Sequence, residues 1–167
     1  MLLQRARELV EPEVSIRDAR ISKKYIEFDT SISDSMDVKT IISRLEAIAP
    51  LASYDEILER HMEKDRAIAR AVQLFNDERY WEAHEVLEYL WKNAKGVERE
   101  ILNGIILVAA AFVHDEKDET DVCISILHRA IKKLDQAIGN YHGINTNRIA
   151  DMVSEIINTG KVNRFTI

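Results

Sequence analysis

The sequence contains little cysteine, proline or glycine. Its 167 residues include one Cys, two Pro and five Gly. The single cysteine, Cys123, excludes an internal disulfide and a cysteine-rich zinc site, and it favours a reducing compartment, so we predict a cytoplasmic protein. Proline is absent from residue 54 to residue 139, so proline breaks no helix in that stretch.

Long apolar runs and an excess of positive charge are also missing. The longest apolar run, Gly104 to Val113, is too short to cross a membrane, and the first residues lack the apolar stretch of a secretory signal. The 23 Lys and Arg against 29 Asp and Glu give a net charge of -6, which offers a phosphate backbone no general attraction. We therefore predict that the protein binds neither a membrane nor a nucleic acid.

The residues that are present predict a mainly α-helical fold. Hydrophobic residues make up 46% of the chain, which is enough to build a core. β-Branched and aromatic residues that partly alternate predict two strands, Val14 to Ile21 and Lys24 to Ile32. A short helix precedes these strands, and a second helix follows them and ends before Pro50. We therefore predict a small α+β appendage at residues 1–52, made of a helix, two strands and a helix.

Helical spacing continues after this appendage. It predicts an antiparallel bundle of about four to five helices, because the connections are short. The predicted helices span Tyr54–Asn76, Glu78–Ala94, Val97–His114, Thr120–Gly139 and about Thr146–Asn158. The third is apolar nearly all round, which is typical of a helix at the centre of a bundle. We predict the bundle at residues 53–140 and a helix and tail packing on the rest at residues 141–167, with the ending KVNRFTI as a strand.

The most distinctive segment is YWEAHEVLEYLW, residues 80–91. His84 and Glu88 lie four residues apart, so on a helix they face one another and can share a cation. Trp91 falls on the same side of the helix and would shield the pair from water. A metal ion needs further ligands from elsewhere, and His114 at the end of the third predicted helix is the best placed to supply one.

Three runs of residues around this segment resemble a known family. They are YWEAHEVLEYLWK with Gly96, Glu98 and Arg99, then NGIILVAAAFVH, and then ILHRAIKKL. Between Phe75 and Leu134 the chain resembles the bacterial and archaeal proteins known as domain of unknown function 309 (DUF309). The family pattern His-x-x-x-Glu-x-x-Trp is met by His84, Glu88 and Trp91.

This resemblance implies an all-helical region and a motif that has been suggested to bind metal. The chain departs from the family at one place on the third predicted helix. The family commonly has a run like Gln-Gly-Leu-Ile-Gln there, whereas this chain has Asn103 to Leu107, with Leu107 in place of an amide. The departure removes one polar group from the predicted site.

Two functions of different classes fit this segment. The first is a metal- or small-ligand-binding site, with His84, Glu88 and His114 holding a divalent ion such as Zn²⁺ or Mn²⁺. Its ligand pocket would be completed by Tyr80, Trp91 and Asn103. Without a metal, Glu88 would act as a catalytic base with His84 as its partner. The sequence specifies no reaction or substrate.

The second function is a non-catalytic helical module that dimerises or docks another protein. Trp81 and Tyr89 point away from the centre of the apolar face, and aromatic-rich surfaces often mark interfaces. His84 and Glu88 would then be a structural pair that satisfies a partly buried imidazole. A homodimer is the assembly that this interpretation predicts.

Overall fold

A computed structural model describes residues 2–10, 12–21, 25–33, 36–54, 62–135 and 139–167. These residues form two compact units, of which unit one takes in the described residues up to 54 and unit two those from 62 onward. Helices account for 61% of the described residues, which confirms the prediction of a mainly helical fold. These residues form seven helices, more than the four to five that were predicted, and two of the seven lie in unit one.

Unit one is a small α+β arrangement. Its elements are α1 (Leu2–Leu9), β1 (Ser15–Ile21), β2 (Ile26–Ser31) and α2 (Val38–Leu45). The two strands pair with each other in antiparallel orientation. The Asp37 side chain accepts a hydrogen bond from the backbone N–H of Lys39, so α2 begins with a side-chain cap. The buried core of this unit consists of Ala6, Val14, Ile16 and Ile41.

Unit two contains the longer helices. They are α3 (Lys64–Asn76), α4 (Tyr80–Asn93), α5 (Gly96–Asp115), α6 (Thr120–Leu134) and α7 (Thr146–Thr159), with β3 (Asn140–Tyr141) and β4 (Ile144–Asn145) forming a short hairpin before α7. The Tyr80 ring at the start of α4 packs against Phe112 near the end of α5. Lys133 near the end of α6 bonds Glu100 near the start of α5 at 2.7 Å. Helix α5 therefore runs opposite to both α4 and α6.

Helix α5 lies at the centre of unit two, packed between α4 and α6. Gly104 packs closely against α6, because a Cβ added there would lie 2.7 Å from Cδ2 of Leu134. Cys123 is fully buried in the same core. Within the part of the chain that the structure describes, no helix is long and apolar enough to span a membrane.

Two predicted helix boundaries differ from the structure. The helix predicted from Tyr54 begins at Lys64, because the backbone at Glu63 is extended, with φ -58° and ψ 142°. Residues 55–61 of that prediction lie outside the described residues. The helix predicted to end at Gly139 ends at Leu134, and residues 136–138 also lie outside the described residues.

The strand predicted for KVNRFTI is wrong. Residues 160–167 have no regular secondary structure, and Phe165 enters the core of unit two. The Asn76 side chain donates to the backbone oxygen of Ile167 at 3.2 Å and accepts from its backbone N–H at 2.8 Å. One amide side chain therefore supplies the donor and the acceptor that a neighbouring strand would have offered.

Candidate metal centre on helix α4

Helix α4 turns one face to the core and leaves its polar residues at the rim. Its buried residues recur every three or four positions, which directs them to one side of the helix. They are Tyr80, Ala83, Leu87 and Leu90. His84 and Glu88 are half-buried next to this face, and Glu85 is exposed.

Three side chains of α4 come together at this rim. His84, Glu85 and Glu88 each offer a nitrogen or carboxylate oxygen, and these atoms all lie within 4.8 Å of one another. Nδ1 of His84 is 3.5 Å from Oε1 of Glu85. Residues three and four positions apart on a helix are neighbours, so Glu88 faces both other members.

The imidazole of His84 is shielded and incompletely satisfied. The indole of Trp81 stacks on it, with ring centroids 5.3 Å apart and planes 8° apart. Only 18% of the His84 side chain is exposed. Its Nδ1 is buried and has no hydrogen-bond partner among the described residues. A buried polar atom of this kind is rare in proteins and points to a water, an ion or another group beside it.

His84 and Glu88, which were predicted to share one face of a helix, lie together in the structure. Glu85 was not predicted to join them, because its angle on the helix directs it outward. The signal that could have found it is the spacing of three between Glu85 and Glu88, combined with the reach of a glutamate side chain. Trp81 was predicted to be exposed, but it is half-buried against the core and stacked on His84.

His114 does not join this group. It lies at the end of α5, where its Nδ1 is 2.5 Å from Oε2 of Glu119 in the connection to α6. The group within mutual ligand distance contains His84, Glu85 and Glu88 alone among the described residues. The third ligand predicted from the sequence is therefore engaged by a carboxylate elsewhere.

Tyr80 lies in the core. It is 1% exposed, and its ring packs edge-on against Phe75 and Phe112. Burial raises the pKa of the Tyr80 phenol well above its usual range, and the charges around it are those of Arg164 and its partners. Tyr80 is therefore surrounded by aromatic rings and by these charges.

These charges form what we call the Arg164 cluster. The Arg164 guanidinium lies 2.8 Å from Asp115, 3.5 Å from Glu78 and 3.9 Å from Glu116. All four side chains are at most 17% exposed. The cluster joins residues 160–167 to the end of α5.

Trp91 and Asn103, also predicted to line a pocket, have other surroundings. The Arg99 guanidinium lies over the Trp91 ring, 4.0 Å from its centroid, as a cation–π contact. Trp91 Nε1 is buried without a hydrogen-bond partner in the described part of the chain. Asn103 is half-buried on α5. Tyr80 and Trp91 therefore have different partners, with Tyr80 among aromatic rings and Trp91 beneath Arg99.

Tyr89, the other aromatic residue of the predicted interaction surface, is also half-buried and packs against the core. Trp81 has its ring on His84. Both side chains are therefore only partly exposed.

Comparison with known proteins shows that part of this unit is similar to one family. Residues 68–126, about a third of the chain, match the model of the family described as Domain of unknown function (DUF309). This match confirms the predicted resemblance and contains the whole of α4 and α5. It assigns no role to any residue of the motif. A search of the curated proteins found no match.

Proposed function

We propose that helix α4 binds a divalent metal ion through His84, Glu85 and Glu88. The observation that carries this proposal is the convergence of one imidazole and two carboxylates within 4.8 Å on consecutive turns of one helix. One nitrogen and two oxygen ligands suit Zn²⁺ or Mn²⁺. The ligand set thus keeps His84 and Glu88 from the sequence motif and takes Glu85 instead of His114.

The side chains need only small movements to reach coordination distance. Ligand atoms about 2.0–2.2 Å from a tetrahedral ion are about 3.4 Å from one another. Rotation of Glu85, which is 43% exposed, and of the half-buried Glu88 can close a gap of up to about 1.4 Å. Trp81 meanwhile holds the His84 ring in place, so the carboxylates do the moving.

Three protein ligands leave at least one coordination position for a water molecule or a small oxygen-containing ligand. Catalytic zinc sites keep such a position, whereas structural zinc sites use four protein ligands. The proposed centre is therefore a binding or catalytic site. A metal-free alternative, with Glu88 as a base and His84 as its partner, uses the same side chains.

The test is metal analysis of protein purified without chelator and then dialysed against Zn²⁺ or Mn²⁺. We expect about one ion per chain in the wild type. His84→Ala, Glu85→Ala and Glu88→Ala should each weaken binding at least about 10-fold, because loss of a direct ligand costs no less than loss of its supporting partners. His114→Ala and Glu82→Ala are matched controls, since Glu82 lies on the same helix but is paired with Arg79 at 2.5 Å.

Two results would contradict the proposal. Absence of bound metal in the wild type would make His84 and Glu88 a structural pair or a metal-free site. Loss of the metal in His114→Ala with retention in Glu85→Ala would restore the ligand set predicted from the sequence. Circular dichroism on every variant separates loss of binding from loss of folding.

The remaining functional expectations come from composition and, for the homodimer, from the aromatic residues of α4, and they stay predictions. They are a cytoplasmic location, the absence of membrane and nucleic-acid partners, and a homodimer. A docking role for the aromatic helix has less support than the metal site, because Trp81 and Tyr89 pack against the core.

A further inference from the structure

Unit two contains a cavity away from α4, between helix α3 and the β3–β4 hairpin. Its volume is about 560 Å³, within the range of about 300–1,000 Å³ that small-molecule sites occupy. Ile68, Ala69 and Val72 of α3 form one wall, and Ile144 stands opposite. The lining is therefore apolar on both sides.

Two titratable side chains stand at the rim of this cavity. Nδ1 of His142 lies 2.8 Å from Oδ1 of Asp65, and both residues line the opening. A carboxylate beside Nδ1 accepts the proton of that nitrogen, so the neutral ring presents a lone pair at Nε2. The pair therefore offers a hydrogen-bond acceptor to whatever occupies the cavity.

The turn that carries His142 does not itself require a histidine. His142 and Gly143 have φ of +46° and +89°, the positive values at both central positions that a type I′ hairpin needs. Asn-Gly is the preferred sequence for such a turn. The imidazole makes two contacts: it bonds Asp65, and it packs against the Tyr141 ring in a T-shaped arrangement with ring centroids 4.7 Å apart.

Lys64, the cation next to Asp65 in the sequence, is engaged by another carboxylate. Lys64 is bonded to Glu98, and Tyr141 donates to the same carboxylate at 2.8 Å. The hydrogen bond from Lys64 and that from Tyr141 lower the pKa of Glu98, so it stays ionised and cancels the lysine charge. Asp65, which is 73% exposed, is then the carboxylate at the opening that Lys64 does not neutralise.

We propose that this cavity binds a small molecule with an apolar body and a primary ammonium head. The apolar body lies between Val72 and Ile144, and the ammonium donates a hydrogen bond to Nε2 of His142 beside the carboxylate of Asp65. A carboxylate head of the same size is disfavoured, because it would meet Asp65 and the Nε2 lone pair. The site uses none of the residues of the proposed metal centre.

The test is calorimetric titration of the full chain at about pH 8, above the usual imidazole pKa. The ligands are hexylammonium and, matched in length, hexanoate. We expect hexylammonium to bind at least about tenfold more tightly than hexanoate. His142→Asn, which keeps the favoured turn, and Asp65→Asn should each weaken hexylammonium binding about tenfold, the effect of one charge-assisted hydrogen bond. His128→Asn, an exposed site on α6, is the matched control and should change nothing.

A cavity-filling variant tests the apolar part. Ala69 is exposed at the cavity wall, so Ala69→Phe should fold and should abolish binding. Two results would overturn the recognition of the ammonium head. One is that the wild type binds hexanoate as tightly as hexylammonium. The other is that both His142→Asn and Asp65→Asn bind hexylammonium as the wild type does. Absence of hexylammonium binding to the wild type at about 10 mM would overturn the site itself. Circular dichroism establishes that each variant is folded.

Discussion

Whether Gly104→Ala stabilises or destabilises unit two depends on one neighbouring side chain, that of Leu134. In an isolated helix, Gly→Ala stabilises by about 1 kcal/mol, because alanine has the higher helix propensity. Here the new methyl group would lie 2.7 Å from Cδ2 and 2.8 Å from Cγ of Leu134. Leu134 is only 2% exposed, so it has little room to move away. Overpacking of this kind costs about 1–3 kcal/mol. We therefore expect Gly104→Ala to destabilise unit two by about 1 kcal/mol.

The same substitution should become favourable when Leu134 is shortened. Leu134→Ala alone should cost about 3 kcal/mol, because it leaves a cavity in the core. In that background the overlap is gone, and Gly104→Ala should restore about 1 kcal/mol through helix propensity. The two substitutions should thus be coupled by about 2 kcal/mol, far above the deviation expected for independent sites.

Urea denaturation followed by tryptophan fluorescence measures these effects. Both tryptophans of the chain, Trp81 and Trp91, lie in α4, so the signal reports on unit two. Three variants and the wild type complete the cycle. The reasoning would be refuted if Gly104→Ala stabilised the wild type, or if its effect were the same in both backgrounds.

Two further substitutions test the electrostatics of unit two. Arg164→Met should cost about 3 kcal/mol in the same denaturation assay, because it leaves the carboxylates of the Arg164 cluster buried without their cation. A loss below about 0.5 kcal/mol would contradict this. Glu98→Gln tests a pH effect. The hydrogen bonds from Lys64 and Tyr141 lower the pKa of Glu98 in the folded protein below the usual 4.5. The contribution of this carboxylate to the free energy of unfolding is therefore fully present above that pH and is lost as the pH falls through the folded-state pKa. The variant should be about 1 kcal/mol less stable than the wild type at pH 7, and this difference should shrink as the pH falls below 4.5. A difference independent of pH would refute the assignment.

Helical periodicity was sufficient to place His84 beside Glu88. The spacing of four residues defines a shared face whatever the rest of the fold does, and the ligand atoms lie within 4.8 Å. Glu85 could not be found in the same way, because its approach depends on the side-chain conformation and not on the angle of its Cα. The stacking of Trp81 on His84 depends on the same kind of detail.

Residues whose position depends on other elements were harder to predict. His114 was assigned to the site because α5 neighbours α4, but its ring bonds Glu119 just beyond the helix end. The ending KVNRFTI has the composition of a strand, yet the Asn76 side chain hydrogen-bonds its last backbone groups. In both cases the residue is engaged by one polar side chain outside its own segment. The local sequence pattern therefore did not predict this partner.

The anchoring of residues 160–167 also bears on the order in which unit two folds. Helices α3 to α6 contact their neighbours in sequence, so each pair can form once a short connection closes. The bonds of Ile167 to Asn76 and of Arg164 to Asp115 instead join residues 91 and 49 positions apart. Because closing a longer loop costs more entropy, we expect this segment to dock after the helices have paired. Phe165 would then reach Phe75 and Phe112 last and complete the aromatic core.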